Sequence, residues 1–295
     1  MRVGGGRIRT TVRDRHFLGS TVFICLLYLC VTAVDVVVRS QLSLPFLAAV
    51  DLTHALPVVL GLSIGVVAVW SLPVAIVVTD LATGALGPWT VVEICVQLYL
   101  GYAAYRMAEQ LGLDVRAPIS DLARPAPVGR FLLVVAIAAT GAGAIAGWGS
   151  EIVGRAPFFV TAPASALGYF VLTLVVGLPL LAILRVGIQA SEDRFDVEWH
   201  RTGTSSGRFG LRRITLVTGT WFVLGTVGSI GYRTLEKLPT TALSRRNLAF
   251  IKTLEQPDLF GAGAGRIQVL LGAFLVSALL VTVLESKAED REAVE

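Results

Sequence analysis

The sequence predicts an all-helical fold: a polytopic transmembrane bundle of about eight spans. Three observations carry this. Of the 295 residues, 54% are hydrophobic and only 16% charged, against about 25% charged in ordinary soluble domains. The mean hydropathy is +0.73. Apolar runs near the ~20 residues needed to cross a bilayer recur along the chain.

The first helix is expected at 17–38, behind an N-terminus carrying Arg2, Arg7, Arg9, Arg13 and Arg15. This start has the charge of a signal-peptide n-region. The apolar run from Phe17 to Val38 is longer than a typical h-region and is followed by no small-x-small site, so it reads as a retained transmembrane helix. Asp35, near its far end, is expected to reach the head groups. A polar stretch from Arg39 to Pro45 follows. Helices 2 (54–70) and 3 (73–86) are expected to be divided at Ser71-Leu72-Pro73, and both are short for a full span. The turn Gly84-Ala-Leu-Gly-Pro88 leads into helix 4 (89–107). A Pro/Arg/Asp-rich loop (109–129), helix 5 (130–148) and helix 6 (161–185) complete a six-helix membrane domain, residues 1–187. The remainder, 188–295, holds a polar loop, helix 7 (212–232), a polar connection (233–265), helix 8 (266–284) and an acidic tail.

The net charge is +4. No basic patch interleaved with aromatics accompanies it, so nucleic acid is not an expected partner. The bilayer is: basic loops hold topology and meet anionic lipid. If 54–86 makes two crossings, 17 of the 25 Lys and Arg residues fall on the cytoplasmic side; with one crossing the division is 12 against 13. The positive-inside rule therefore favours two crossings, with both termini cytoplasmic at the plasma membrane. The segment 233–265 would be external yet holds Arg233, Lys237, Arg245, Arg246 and Lys252. Leu243, Leu248, Ile251 and Leu254 recur there at roughly helical spacing, which suits an amphipathic helix on the membrane surface. Inverted helices 7 and 8 are the alternative.

Ionisable groups inside apolar helices cost roughly 2.5–3.5 kcal/mol each on insertion scales and are functional candidates by default. Here they are Asp51, His54, Asp80 and Glu93, joined by the polar Gln97 four residues after Glu93 on the same helix face. The predicted topology gathers them at the outer side with Trp89 and with the 147–159 loop, which adds Trp148, Glu151, Arg155 and Phe158. Apolar walls with a few convergent polar groups make a small-molecule pocket. Carboxylates rather than arginines favour a cationic or hydrogen-bond-donating solute. Each residue also has a plainer role: Asp51 as a helix cap, His54 as a structural hydrogen bonder, Trp89 and Trp148 as interfacial anchors, and Glu151 with Arg155 as a surface i,i+4 pair.

Cys25, Cys30 and Cys95 lie in apolar runs, with no CxxC and no metal-ligand spacing. No HExxH, GxSxG or Walker motif is present, so neither an enzyme nor a cofactor is expected. Gly61-x-x-x-Gly65, Gly143-x-x-x-Gly147 and Gly225, Gly228 and Gly231 read as helix-packing positions.

Residues 1–187 resemble the membrane-embedded, substrate-binding S component of energy-coupling factor (ECF) vitamin transporters. The resemblance rests on six helices in that length and on an order of features. These are Pro45-Phe46 after helix 1, Leu56-Pro57-Val-Val-Leu-Gly61-Leu-Ser-Ile-Gly65, Asp80-x-x-x-Gly84 with Gly87-Pro88, and Gly101-Tyr102. It implies capture of a small metabolite by the outer halves of the helices, and partnership with a second membrane subunit and ATPase subunits. A non-transporting membrane sensor or scaffold is the alternative, and it better accommodates helices 7 and 8 and the basic loops at 185–213 and 233–265.

Overall fold

The computed structural model describes residues 5–41, 51–113, 125–184, 208–236, 272, 274 and 275. Among these residues seven α-helices are delimited: α1 (Gly5–Gln41), α2 (Leu56–Ser63), α3 (Val66–Thr83), α4 (Pro88–Gln110), α5 (Pro125–Ile152), α6 (Phe158–Leu172) and α7 (Arg208–Glu236). A 3-10 turn at Leu52–Ala55 leads into α2, and α6 continues through a π turn at Thr173–Gly177 as far as Leu184. No strand occurs among the described residues.

Four helical stretches are long and apolar enough to cross a membrane: Leu18–Gln41, Pro125–Ile152, Phe158–Leu184 and Arg212–Gly231. They mark the chain as a membrane protein, with four such helices among the described residues. Leu52–Ser63 and Val67–Thr83 are apolar but shorter. At 1.5–2.0 Å per residue the first covers only about 20 Å, against roughly 30 Å of hydrocarbon. α4 has the length, at 23 residues, but Glu93, Gln97, Tyr99, Tyr102, Tyr105 and Arg106 dilute its apolar character. The expected surface helix at 241–255 and the acidic tail lie outside the described residues, as does helix 8 apart from 272, 274 and 275.

Successive helices alternate in direction. A methyl group added at Gly61 would strike the Gly101 backbone, and one added at Gly65 would lie 3.5 Å from the Tyr105 ring, so α2 and α4 advance together. α3 runs the other way, because Asp80 near its end meets Thr90 near the start of α4. α1 lies parallel to α3, joined by a Thr21–Ser71 hydroxyl bond of 2.9 Å. α5 and α6 form an antiparallel hairpin: added methyls at Gly143 and Gly147 would come within 2.6 Å of Ala162 O and 2.7 Å of Ala162 Cβ. α7 closes the bundle, with Gly225 against the Phe158 ring and Trp221 against Trp148. One end of the bundle therefore collects Gln41, Asp51, the Gly84–Pro88 turn and the 153–157 turn.

The core is centred on α4. Val96, Leu100, Ala103, Ala104 and Met107 are buried against Val58 and Val59 of α2, Val134 and Ala138 of α5, and Phe158 and Ala162 of α6. A second cluster, Ile24 and Tyr28 with Leu56, Leu60, Leu72 and Ile76, ties α1 to α2 and α3. Large apolar side chains such as Leu26, Trp70, Leu81 and Val223 are exposed on the outer faces of α1, α3 and α7, as lipid-facing positions require.

The structure corrects two sequence expectations here. The chain reverses at Ile64–Gly65, not at Ser71–Pro73, and α3 runs unbroken through both residues. Gly65 has φ +87, a conformation that glycine adopts without steric cost; it makes the turn rather than serving as a packing notch. Pro73 is tolerated because apolar packing fixes the surrounding helix, with Leu72, Ala75 and Ile76 buried. Gly231 is not a packing position either, since an added methyl there meets nothing within 4 Å.

Candidate functional site

Three elements deliver the polar residues nearest the middle of the bundle. α1 brings Tyr28, the 3-10 turn brings Thr53 and His54, and α4 brings Glu93 and Gln97 one helical turn apart. Tyr28 OH donates to Glu93 Oε1 at 3.0 Å. Gln97 Nε2 donates to Tyr28 OH at 2.5 Å and to Glu93 Oε1 at 3.1 Å. Thr53 is a further side-chain partner of the Tyr28 hydroxyl. Gln97 is 0% and Tyr28 3% exposed, whereas Glu93 is only partly buried, so the triad leads from the apolar interior to a partly exposed carboxyl group.

The directions of these bonds follow from chemistry. An ionised carboxylate only accepts, so with Glu93 ionised Tyr28 gives it its single proton, and the Tyr28 oxygen accepts from Gln97. The amide NH2 of Gln97 must then face the triad, which turns Oε1 away. That oxygen is buried and has no hydrogen-bond partner among the described residues. Leaving a buried acceptor unpaired costs about 1–3 kcal/mol.

His54 is held from two sides. Its backbone N–H donates to Asp51 O at 3.0 Å, and ring Nδ1 lies 3.1 Å from the same carbonyl. A carbonyl can only accept, so Nδ1 carries a proton. The ring stacks on Tyr169 of α6, with centroids 4.7 Å apart and planes 17° from parallel. His54, Asp51 and Asp80 lie close enough to Glu93 to act on its charge. The π turn sits one turn beyond Tyr169 and packs on α2, placing Gly177 against Val59. Thr173 Oγ1 within it is also buried without a partner among the described residues.

At the same end of the bundle, Arg39 bridges two carboxylates. Its Nε donates to Asp35 Oδ2 at 2.6 Å, and its guanidinium also pairs with Asp51 Oδ1. Asp35 Oδ1 accepts from the Leu52 backbone N–H at 3.0 Å. Asp35 is thus buried and paired rather than reaching toward head groups. Asp51 makes no side-chain cap; it joins the 3-10 turn to α1 through Arg39.

The structure brings His54, Glu93 and Gln97 together, with Asp51 alongside. Asp80 is engaged elsewhere: its Oδ2 accepts from Thr90 Oγ1 at 2.5 Å, while that hydroxyl accepts from Gly87 N at 3.1 Å, which fastens the α3–α4 turn. Trp89 lies under Arg155, the guanidinium carbon 4.3 Å from the ring centroid. Trp148 meets Trp221 edge-on at 6.0 Å. Glu151 is buried and accepts from the Phe158 N–H at 3.3 Å at the start of α6. Tyr28 and Tyr169 are the members that sequence reasoning missed. A hydroxyl midway along the apolar run of helix 1 was the available signal for Tyr28.

No protein family, characterised protein or solved structure matches this chain.

Proposed function

We propose that this membrane protein captures a small solute carrying N–H donors, at the site formed by Glu93, Gln97 and His54. The observation that carries the proposal is the fully buried Gln97 Oε1, an acceptor without a donor among the described residues, beside a carboxyl group among apolar helices. Glu93 adds its carboxyl oxygens as further acceptors, so Gln97 Oε1 and Glu93 together call for donors. A cationic or amino-bearing solute supplies them, and in a water-poor setting each such bond discriminates strongly against analogues that lack the donor.

The similarity of residues 1–187 to ECF S components supports placing this site in an uptake system, as its substrate-binding component. Capture then occurs from the outer face, with a second membrane subunit and ATPase subunits supplying the energy. The test is native mass spectrometry of protein purified gently from its source membrane. A co-purifying amino-bearing metabolite, lost in Gln97→Leu and Glu93→Ala, is the expected result. A stoichiometric protein partner with no metabolite would overturn the proposal in favour of a scaffold.

A further inference from the structure

The Gln97–Tyr28–Glu93 triad carries a consequence for protons. Its three bonds have a fixed direction only while Glu93 is ionised. An ionised Glu93 draws both the Tyr28 proton and the Gln97 N–H toward Oε1, and Gln97 Oε1 could not replace Nε2 there, because two oxygens 3.1 Å apart would repel. If Oε1 of Glu93 takes up a proton, it becomes a donor. Tyr28 then accepts from Glu93 and needs a new acceptor for its own proton, for which the Thr53 hydroxyl and the Gln97 amide are the side chains within reach. The terminal group of Gln97 is 2.5 Å away, and it can accept only through Oε1. Rotation of the amide by half a turn meets that need and sends the NH2 to where the unpaired oxygen had been.

We propose that Glu93, Tyr28 and Gln97 form a reversible relay in which protonation of Glu93 turns the Gln97 amide over. The site then presents a carbonyl oxygen when Glu93 is ionised and an N–H when it is neutral. One proton is gained, by Glu93 from solvent. No covalent bond changes elsewhere, since Tyr28 reorients its own O–H. The charged and titratable groups facing Glu93 are Tyr28 of α1, His54 and Asp51 at the 3-10 turn, Asp80 of α3 and Tyr169 of α6. Arg39 bridges Asp51 to Asp35, so protonating Glu93 removes one negative charge from a neighbourhood containing several carboxylates. The inference deepens the solute-capture proposal and rests on the same site. A donor-bearing solute held with Glu93 ionised loses its acceptor and faces an N–H instead when the proton arrives, so capture and release become linked to proton uptake.

Infrared difference spectroscopy on the full chain in nanodiscs, with 13C-labelled glutamine, tests the relay without a solute. The band of Gln97 is assigned by its loss in Gln97→Met. Lowering the pH should produce the carboxylic-acid stretch of Glu93, absent in Glu93→Gln, and shift the Gln97 amide band over the same pH range. Tyr28→Phe should retain the acid stretch and lose the amide shift; Glu93→Gln should hold the Gln97 band at one position at every pH. An amide band that stays still while Glu93 protonates overturns the relay, as does a shift that survives in Tyr28→Phe. Because no solute is present, a moving amide band in a protein that captures no metabolite upholds the relay and sinks only the capture proposal.

Discussion

Replacing Arg39 by Met isolates the energetics of the bridge at the site end of the bundle. Met keeps most of the aliphatic stem and removes the charge. The two ion pairs broken are unequal: the Asp35 side chain is 8% exposed and that of Asp51 is 47% exposed, while Arg39 itself is 30% exposed. Removing one partner of a buried pair costs about 3–5 kcal/mol, whereas an exposed pair contributes about 0.2–1 kcal/mol. Water reaching the partly exposed Arg39 places the expected loss near the lower end, about 3 kcal/mol. Nearly all of it comes from Asp35, left among the described residues with the Leu52 N–H. Asp51→Asn should therefore cost less than about 1 kcal/mol. The double variant Arg39→Met with Asp35→Leu should be more stable than Arg39→Met alone, since no buried charge remains, though the orphaned Leu52 N–H keeps it below wild type. Reversible unfolding in bicelles across the four proteins reads these differences. Equal losses in Asp51→Asn and Arg39→Met, or no recovery in the double variant, would refute this division by burial.

Four further outcomes follow from the packing and the triad. A double-mutant cycle between Tyr28→Phe and Glu93→Gln should give a coupling of about 0.6–1.7 kcal/mol, the range for hydrogen bonds between membrane helices; additivity within about 0.3 kcal/mol would show that the pair does not interact. Gly143→Ala should destabilise by about 1–3 kcal/mol because the new methyl meets backbone atoms of Ala162 and Ala166. Gly231→Ala, with open space around it, should be neutral or stabilising by up to about 1 kcal/mol in the same unfolding assay. Trp89→Ala and Arg155→Ala should each raise hydrogen exchange at the 153–157 turn, and their cycle should give about 0.5–1 kcal/mol of coupling; exchange unchanged in both would remove the contact as a fastening.

Much of the bundle was legible in the sequence. Hydropathy located the cores of α1, α5, α6 and α7 because lipid exposure demands apolar residues over a fixed length. Gly84 and Pro88 bounded the α3–α4 turn, and Gly143 with Gly147 marked the face that meets α6. The spacing of Glu93 and Gln97 placed them on one face, and charge counting put His54 at the same end. Helix termini were less legible: α1 begins at Gly5 because a polar, arginine-bearing start is no bar to helix formation. The reversal at Gly65 was hidden because Pro73 is the stronger local breaker, yet tertiary packing absorbed it. Tyr28 and Glu93 are 65 residues apart in sequence, and no periodicity reports such a pairing. The different partners of Asp80, Trp89 and Trp148 likewise depend on which helices become neighbours, a matter of side-chain shape rather than of hydropathy.

The π turn at Thr173–Gly177 fixes the angular phase between the two halves of α6. Such a turn holds one residue more than regular winding would. Deleting any one residue from it would let the helix close into ordinary α geometry and rotate Phe158–Leu172 by about 100° relative to Leu178–Leu184. Tyr169 would leave the His54 ring, and the small-residue face that receives Gly143 and Gly147 would turn with it. The length of this five-residue segment is thus a tighter constraint on the site than the identity of its side chains: Leu174, Val175 and Val176 can exchange for other apolar residues, whereas a one-residue deletion cannot be accommodated without dismantling the contact between α6 and the 3-10 turn.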